Sequence, residues 1–445
     1  SGTFSVGKPS SDYPNFTAAF ADLTKNSICG PVFLQLQDTT LSESFTIDAI
    51  SGVSSVNTIT IEQDPANTNP GELDGRITLG AISFLTVRDI IINTSGYAFQ
   101  VESGKQHKNV KIDGNTFNLT GTGSGAYYDA LYEKNSDSTW FINNTVNGGY
   151  YGLRFYGGSA SAIGSMESNI FIENNNMSSF IYYGVYLYYS TNVYIRNNII
   201  RNDQNHVNST YPYGLLMYYS VNNEITKNQI QASGTAGGYG MYLYYTNRYG
   251  TTSDSTKIIN NYIVVGKDLN TGTRRGINLY YYNYRAIVYH NNIKVLGNAG
   301  GEAMYTYYMF NSDFKNNIIE NVGGTTWYDL IPNNVSRDYN AFWTGTVGAN
   351  GINGGTAGTN SLVTNPRFKN PNDCDLRVNS IQLDSAAVNV GINEDIYSAP
   401  RVLGFHDIGA HEFDVCYYDA SMTKLSTIYT SVPAGQSVYL NGTVA

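Results

Sequence analysis

Short segments in the middle of the chain alternate apolar and polar side chains around a small anchor residue. The six anchors are Gly152, Gly184, Gly214, Gly240, Gly276 and Ala303, at intervals of 26 to 36 residues. The residues one and three places after each anchor are mostly apolar, whereas those two and four places after it are mostly tyrosine. Alternation with a period of two predicts a short strand with one apolar face, and its recurrence predicts a solenoid of stacked coils.

A second motif, usually a pair of asparagines beside β-branched residues, lies between successive anchors. Asparagine tolerates the left-handed backbone of a tight bend, and its amide can bond to an asparagine in the next coil. We therefore expect two or three strands per coil, joined at polar corners and paired in parallel at about 4.8 Å. The residues predicted to form this internal ladder are Asn144, Asn175, Asn198, Asn228, Asn261, Asn292 and Asn317.

Together the two motifs resemble, residue for residue, the repeat of right-handed parallel β-helix proteins. The resemblance is good over residues 96–322 and weaker over 57–61 and 84–92. Residues 407–413 are similar to the terminal coil of large secreted and cell-surface β-helix proteins of bacteria. The resemblance implies an all-β, single-stranded, right-handed parallel β-helix of about 9–11 coils. It also implies a location outside a bacterial cell or on its surface.

Breaks in the pattern predict three regions. Residues 1–36 should form an N-terminal cap helix over 13–26, with Asn15 or Thr17 as N-cap, followed by the first strand at 32–36. The helix positions expected to be buried are Phe16, Ala19, Phe20 and Leu23. Residues 37–413 should form the β-helix and its irregular terminal coil, with regular repeats over 96–322 and a loop-rich part over 323–374. Residues 414–445 should form a β tail or begin a further module.

The composition of the chain bears on which partners and cofactors it could bind. The net charge is −9 and only 14% of residues are charged, so the basic stripe of a nucleic-acid-binding protein is not expected. No apolar run is long enough to predict a transmembrane helix. No cofactor is expected, although bound Ca²⁺ stays open. The pairs His406-Asp407 and His411-Glu412 have the spacing of metal ligands, but a strand would divide them between two faces, so no metal site is predicted.

The three cysteines leave two interpretations open. Cys374 and Cys416 could form a disulfide while Cys29 stays free, or all three could be reduced and buried.

The tyrosines form the first candidate site. If the apolar positions face inward, two columns of tyrosine face outward and form a long ladder. Tyrosine combines an apolar ring with a polar hydroxyl, so such a strip suits an adhesin-like surface that binds polysaccharide or a protein. The alternative is that the stacked rings only stabilise the sheet. The predicted ligand-binding residues are Tyr156, Tyr186, Tyr188, Tyr218, Tyr242, Tyr244, Tyr280, Tyr305 and Tyr307.

Catalysis on the same face is a second hypothesis. Arg154, with Asp129 and Glu133 one coil earlier, could serve a polysaccharide lyase or a glycoside hydrolase. The simpler interpretation of these residues is a surface salt bridge. A third hypothesis is a structural spacer or filament subunit, in which residues 414–445 add a strand to a neighbouring molecule and so drive self-assembly.

Overall fold

A computed structural model describes residues 1–121, 128–134, 136–158, 163–202, 210–266, 272–297 and 300–413. These residues form a parallel β-helix of about 12 turns, which is slightly more than the predicted number of coils. Besides the strands, the described ranges contain one α-helix, α1 (Phe16–Asn26), and three short 3₁₀ helices, Ile163–Ser165, Pro371–Asp373 and Ile381–Leu383. The predicted tail at residues 414–445, with Cys416, lies outside the described residues.

The strands, in chain order, are β1 (Gly2–Val6), β2 (Val32–Leu36), β3 (Thr40–Leu41), β4 (Phe45–Ile47), β5 (Ile59–Gln63), β6 (Glu72–Asp74), β7 (Ile77–Leu79), β8 (Ser83–Arg88), β9 (Ile91–Thr94), β10 (Phe99–Val101), β11 (Lys108–Asp113), β12 (Thr116–Leu119), β13 (Asp129–Glu133), β14 (Asp137–Ile142), β15 (Thr145–Gly148), β16 (Tyr151–Tyr156), β17 (Glu167–Glu173), β18 (Asn176–Ser178), β19 (Tyr183–Arg196), β20 (Ile199–Arg201), β21 (Tyr213–Thr226), β22 (Gln229–Ala232), β23 (Gly238–Tyr244), β24 (Thr256–Ile259), β25 (Tyr262–Val265), β26 (Arg274–Tyr284), β27 (Ala286–Tyr289), β28 (Asn292–Val295), β29 (Glu302–Lys315), β30 (Ile318–Asn321), β31 (Thr325–Asp338), β32 (Ala341–Trp343), β33 (Ile352–Asn353) and β34 (Leu362–Val363).

Each coil has three faces around an apolar interior. A 13-stranded sheet, sheet B, forms the third face, and a 21-stranded sheet, sheet A, supplies the first two. Strand β19 spans both faces of sheet A, because its first half pairs with β16 and its second half with β17. Its inward side chains, and the one that β20 adds, are fully buried; they are Val185, Leu187, Val193, Ile195 and Ile200. The period-two alternation of the sequence is therefore the inside–outside pattern of the coil.

The asparagine ladder runs through the interior at the corner before sheet B. Each side chain except the last, Asn340, donates to the Oδ1 of the asparagine in the next coil, at 2.9 to 3.2 Å. The residue before it is left-handed, as at Asn143, Asn174 and Asn197. Both polar groups of the amide are thereby satisfied in a dry interior. The ladder consists of Asn115, Asn144, Asn175, Asn198, Asn228, Asn261, Asn291, Asn317 and Asn340.

The prediction was wrong for Asn292. His290 takes the left-handed position at this corner, with φ of 54°, so the ladder residue is Asn291. Asn292 begins β28 and points away from the interior, where it donates to Leu376 O at 2.8 Å and accepts from Ala410 N at 3.0 Å.

The N-terminal cap contains a strand that the sequence pattern did not predict. Helix α1 begins after Asn15, whose side chain accepts a bond from Ala18 N at 2.8 Å, and it buries the four predicted apolar residues. The first strand, however, is β1, which precedes the helix and pairs in parallel with β2. Its sequence, Gly-Thr-Phe-Ser-Val, is too short and too polar to show clear alternation. The first coil therefore starts at Gly2 rather than at Val32.

The regular coils also continue past residue 322. Strands β31 and β32 form a further full turn, with Asn340 as its ladder residue. The part predicted to be loop-rich, residues 323–374, is thus partly regular. The sequence pattern did not show this turn, because Asn340 follows Tyr339 instead of another asparagine and the doubled motif is missing.

Residues 364–413 do not form a terminal coil; they run along the outer surface of sheet B as a strap. Leu376, Ile396 and Ala410 pack on Tyr262 and Val264 of β25. Leu383 and Ile408 of the strap cover Ile318 and Ala341 in later coils. The outward residues of sheet B beneath the strap include Tyr262, Val264, Ile318 and Ala341, whereas earlier coils carry polar residues there, as at Asn118 and Asn147. The strap covers this apolar surface. Cys374 is buried beneath the strap, which raises the pKa of its thiol to about 12, whereas Cys29 is exposed.

Candidate functional site

The first face of sheet A carries a tyrosine-rich surface, which we call the tyrosine face. It has four columns that follow the anchors of the repeat. The first column, one residue before the anchor, holds Tyr97, Tyr151, Tyr183, Tyr213 and Tyr239. The second column, two residues after the anchor, holds Tyr132, Tyr186, Tyr242, Tyr305 and Tyr328. The third column, four residues after the anchor, holds Tyr156, Tyr188, Tyr218, Tyr244, Tyr280 and Tyr307, and the corner column holds Tyr189, Tyr219, Tyr245, Tyr281 and Tyr308.

All nine tyrosines of the predicted site lie on this face. Most are half-buried; Tyr156 is 38% exposed, whereas Tyr305 is only 9% exposed. The sequence reasoning missed the first column, although a tyrosine stands directly before Gly184, Gly214 and Gly240. Strict alternation would turn that residue inward, because Tyr183 lies two places before the inward Val185. The alternation is interrupted at the anchor glycine, and the Tyr183 ring lies 5.2 Å from that of Tyr186 on the outer face.

The rings lean on one another along the axis of the solenoid. In the first column Tyr183 and Tyr213 lie 5.1 Å apart at 28°, and Tyr213 and Tyr239 lie 4.5 Å apart at 3°. The third column contains both stacked and edge-on contacts, at 21° between Tyr156 and Tyr188 and at 61° between Tyr188 and Tyr218. Because neighbouring rings occupy most ring faces, the surface presents ring edges and hydroxyl groups.

Burial keeps the tyrosine face uncharged. It raises the pKa of Tyr186, Tyr188, Tyr242 and Tyr244 well above the ordinary value for tyrosine, and neighbouring tyrosines add to the shift at each of them. These phenols stay protonated at neutral pH, so they can donate and accept hydrogen bonds. A general base needs a pKa near the working pH, so these tyrosines are poor candidates for that role.

Two of the three predicted catalytic candidates meet at one end of the face. Arg154 Nε donates to Asp129 Oδ2 at 2.8 Å, and Arg154 also donates to the Tyr97 hydroxyl at 3.1 Å. Its guanidinium lies 4.1 Å from the ring centre of Tyr132. Burial raises the pKa of Asp129 to about 7, although the Arg154 charge opposes the shift. Asp129 is fully buried and Arg154 is 8% exposed, so the pair has the form of a packed ion pair rather than an open catalytic centre.

The third candidate, Glu133, lies away from this pair. It occupies an inward position of β13, equivalent to Phe155 in the next coil, and is fully buried. Its Oε1 accepts from Thr139 Oγ1 at 2.9 Å and lies 2.7 Å from His107 Nε2. The expectation that Glu133 shares the outer face with Arg154 is therefore wrong; the two-residue period of the strand places it inside.

A second ion pair, which the sequence reasoning did not select, closes the other end of the first column. Arg275 follows Tyr239 in the column, and its Nε donates to Glu302 Oε2 at 3.0 Å. The Arg275 guanidinium also lies 3.7 Å from the ring centre of Tyr305. The unbroken run of tyrosines in the first column, from Tyr151 to Tyr239, is thus bounded at each end by a paired charge.

The strap holds the residues that resembled metal ligands. Asp407 accepts from Ser385 N at 2.7 Å and Phe413 N at 2.6 Å, and Arg401 bonds Glu412 at 2.8 Å. These bonds fix the strap on sheet B. Within the described ranges, no group of three or more histidine, cysteine or acidic residues could hold a metal ion. The described part of the chain also contains no helix of the length and apolarity that crossing a membrane requires.

Comparison with known proteins agrees with this architecture. A family model described as "Right handed beta helix region" matches residues 85–255. The chain is a right-handed parallel β-helix repeat protein. No curated protein matches it. A rhamnogalacturonan lyase is among the similar solved structures, at 10% identity and a TM-score of 0.38, covering 83% of this chain and 90% of that chain. A likeness of this size says nothing about activity.

Proposed function

We propose that this β-helix is a non-catalytic module that binds polysaccharide through its tyrosine face, outside a bacterial cell or on its surface. The observation that carries the proposal is the array of half-buried tyrosines, whose phenol groups stay protonated at neutral pH. Each hydroxyl can both donate and accept a hydrogen bond, as each hydroxyl of a sugar can. Ring edges between them supply apolar contact for the carbon skeleton of the sugar.

The geometry supports binding better than cleavage. A lyase or hydrolase on this face would need an accessible base or acid beside the substrate. Asp129 is fully buried against Arg154, Glu133 is inside the solenoid, and the tyrosines titrate far from neutral pH. The candidates for catalysis therefore all lack either access or a suitable pKa.

The decisive variant removes hydroxyls without disturbing the stacking. In Tyr188→Phe/Tyr218→Phe/Tyr244→Phe the rings remain, so we expect an unchanged melting temperature. Retention on immobilised polysaccharides should fall by at least about tenfold, because several hydrogen bonds of roughly 1 kcal/mol each are lost. Affinity electrophoresis against a panel of soluble polysaccharides measures this retention directly.

A matched control uses tyrosines of the second face. Tyr194→Phe/Tyr284→Phe removes two half-buried hydroxyls from rings that stack on Phe171 and Phe310. This control should bind like the unmodified protein. Equal retention of the triple variant and the control, or no retention of the unmodified protein by any polysaccharide, would refute the proposed function.

A further inference from the structure

A pocket of about 290 Å³ opens where the first column of the tyrosine face changes from tyrosine to charged residues. It is lined by Tyr211, Gly272, Thr273, Arg275, Gly301 and Glu302. Arg275 pairs with Tyr239 in the neighbouring coil, so the pocket continues the tyrosine face without a gap. Ligand pockets commonly measure about 300–1,000 Å³, so this one suits a single small group such as one sugar ring.

The polar groups of the pocket are fixed in position, and they retain donors and acceptors for a ligand. Arg275 is fixed from two sides, by its Nε bond to Glu302 at 3.0 Å and by its contact with the Tyr305 ring at 3.7 Å. Within the described part of the chain, that bond engages one of the guanidinium nitrogens and one carboxylate oxygen. The remaining groups can meet a ligand together with the Tyr211 hydroxyl. A guanidinium donates and a carboxylate accepts, so adjacent hydroxyls of one sugar satisfy both at once.

The charges around the pocket indicate which sugars fit. Arg275 and Glu302 cancel each other, and the three coils between them and the Arg154 pair carry only tyrosine and Leu216 in all four columns. The chain as a whole has a net charge of −9, which repels polyanions at long range. Among the described residues, the four columns of these coils supply no cation of their own, although the exposed Arg248 lies over the Tyr245 ring at the corner, 5.0 Å from its centre. A uronate polymer would therefore gain little from the columns and would meet the repulsive field of the whole chain.

The geometry points to a neutral polysaccharide as the ligand, with the Arg275–Glu302 pocket as the subsite that recognises one of its sugar residues through adjacent hydroxyls. This inference rests on the proposed function, since it assumes that the chain lies along the tyrosine face. From Tyr151 to Arg275 the first column spans four rungs, or about 19 Å. That length holds several sugar residues, and the pocket fixes their position.

The test measures affinities of the whole chain for neutral glucan, galactan, mannan and xylan, and for polygalacturonate and alginate, at low and high salt. Arg275→Gln and Glu302→Gln each remove one charge-assisted contact, so neutral-glycan affinity should fall about tenfold or more for either variant. Arg196→Gln is the matched control, because Arg196 also pairs with a glutamate, at 2.8 Å, and packs on a tyrosine, but on the second face. If Arg275→Gln does not fold, Glu302→Gln decides.

Each outcome separates the two proposals. Loss of affinity in both pocket variants, normal affinity in Arg196→Gln and little salt dependence support the subsite. If the pocket variants bind like Arg196→Gln while the triple Tyr→Phe variant fails to bind, the subsite is wrong and the proposed function stands. Tighter, strongly salt-dependent binding of polygalacturonate or alginate overturns the neutral-ligand assignment. No binding of any polysaccharide by the unmodified chain overturns the proposed function and this inference with it.

Discussion

Asn198 lies near the middle of the asparagine ladder, and its replacement by alanine tests whether the ladder holds neighbouring coils together. Its Nδ2 donates to Ile172 O at 2.8 Å and to Asn228 Oδ1 at 3.0 Å. Its Oδ1 accepts from the N and Nδ2 atoms of Asn175, both at 2.9 Å. Asn198→Ala removes these four bonds and leaves the buried N–H of Asn175 without that acceptor. At roughly 1 kcal/mol for each bond, the free energy of unfolding should fall by about 4 kcal/mol.

The neighbouring residue provides the control. Asn197 is exposed and left-handed, with φ of 56°, a conformation that glycine adopts without strain. Asn197→Gly should therefore change the free energy of unfolding by less than about 1 kcal/mol.

Urea denaturation followed by circular dichroism measures both variants, and hydrogen exchange locates the effect. Faster exchange should be confined to β17, β19 and β21 and the sheet B strands beside them, because a solenoid coil contacts only its neighbours. A loss below about 1 kcal/mol in Asn198→Ala, or an equal loss in both variants, would refute the assignment of the ladder as the main polar link between coils.

Three further predictions concern the strap and the corner column. Burial and, to a smaller extent, repulsion from Glu412 raise the pKa of Asp407 from its unfolded value of 3.8 to about 8. The contribution of Asp407 to stability is therefore complete below about pH 4 and is lost as the pH rises through 8. The melting temperature should fall over that pH range, and it should fall less in Asp407→Asn. Arg401→Ala breaks the buried pair with Glu412 and should release the strap at a cost of about 3–5 kcal/mol, seen as new proteolysis within residues 364–413 while the coils stay folded. Tyr219→Asn relieves a left-handed tyrosine but removes its ring contacts with Tyr189 and Tyr245, so we expect little change in the melting temperature and weaker polysaccharide retention.

The fold was readable from the sequence because its signals are local. The inward residues recur at fixed offsets from each anchor, and the ladder asparagines recur at fixed offsets from the next strand. The same rule could have corrected the one ladder error: a buried apolar residue follows each ladder asparagine by two places, as Ile200 follows Asn198 and Ile293 follows Asn291. The doubled asparagine was the weaker signal, because only one of its two residues is required in the interior.

The strap and the ring geometry were not readable, for different physical reasons. Cys374 and Leu376 pack on strands more than a hundred residues earlier in the chain, and residues 364–413 have no periodic pattern that would predict such a contact. The stacking of the tyrosines depends on rotamers that a column of identical residues leaves undetermined. The alternation of the strand did predict that the second and third columns share a face, but it did not predict the first column, and it could not show that neighbouring rings cover one another.

The corner column allows the contributions of stability and ligand binding to be compared for the same tyrosines. Tyr189, Tyr219, Tyr245, Tyr281 and Tyr308 all have a positive φ, between 52° and 63°. The left-handed conformation costs an ordinary residue about 1–2 kcal/mol, and asparagine, which occupies most other corners of these coils, adopts it more readily. Contact between neighbouring rings returns about 0.5–1.5 kcal/mol for each pair, and a corner ring makes several such contacts, as Tyr219 does with Tyr188, Tyr189, Tyr244 and Tyr245. Ring contacts are therefore enough to offset that cost, and polysaccharide retention by a folded Tyr219→Asn variant is the measurement that separates a stabilising column from a surface that presents phenol hydroxyls to a ligand.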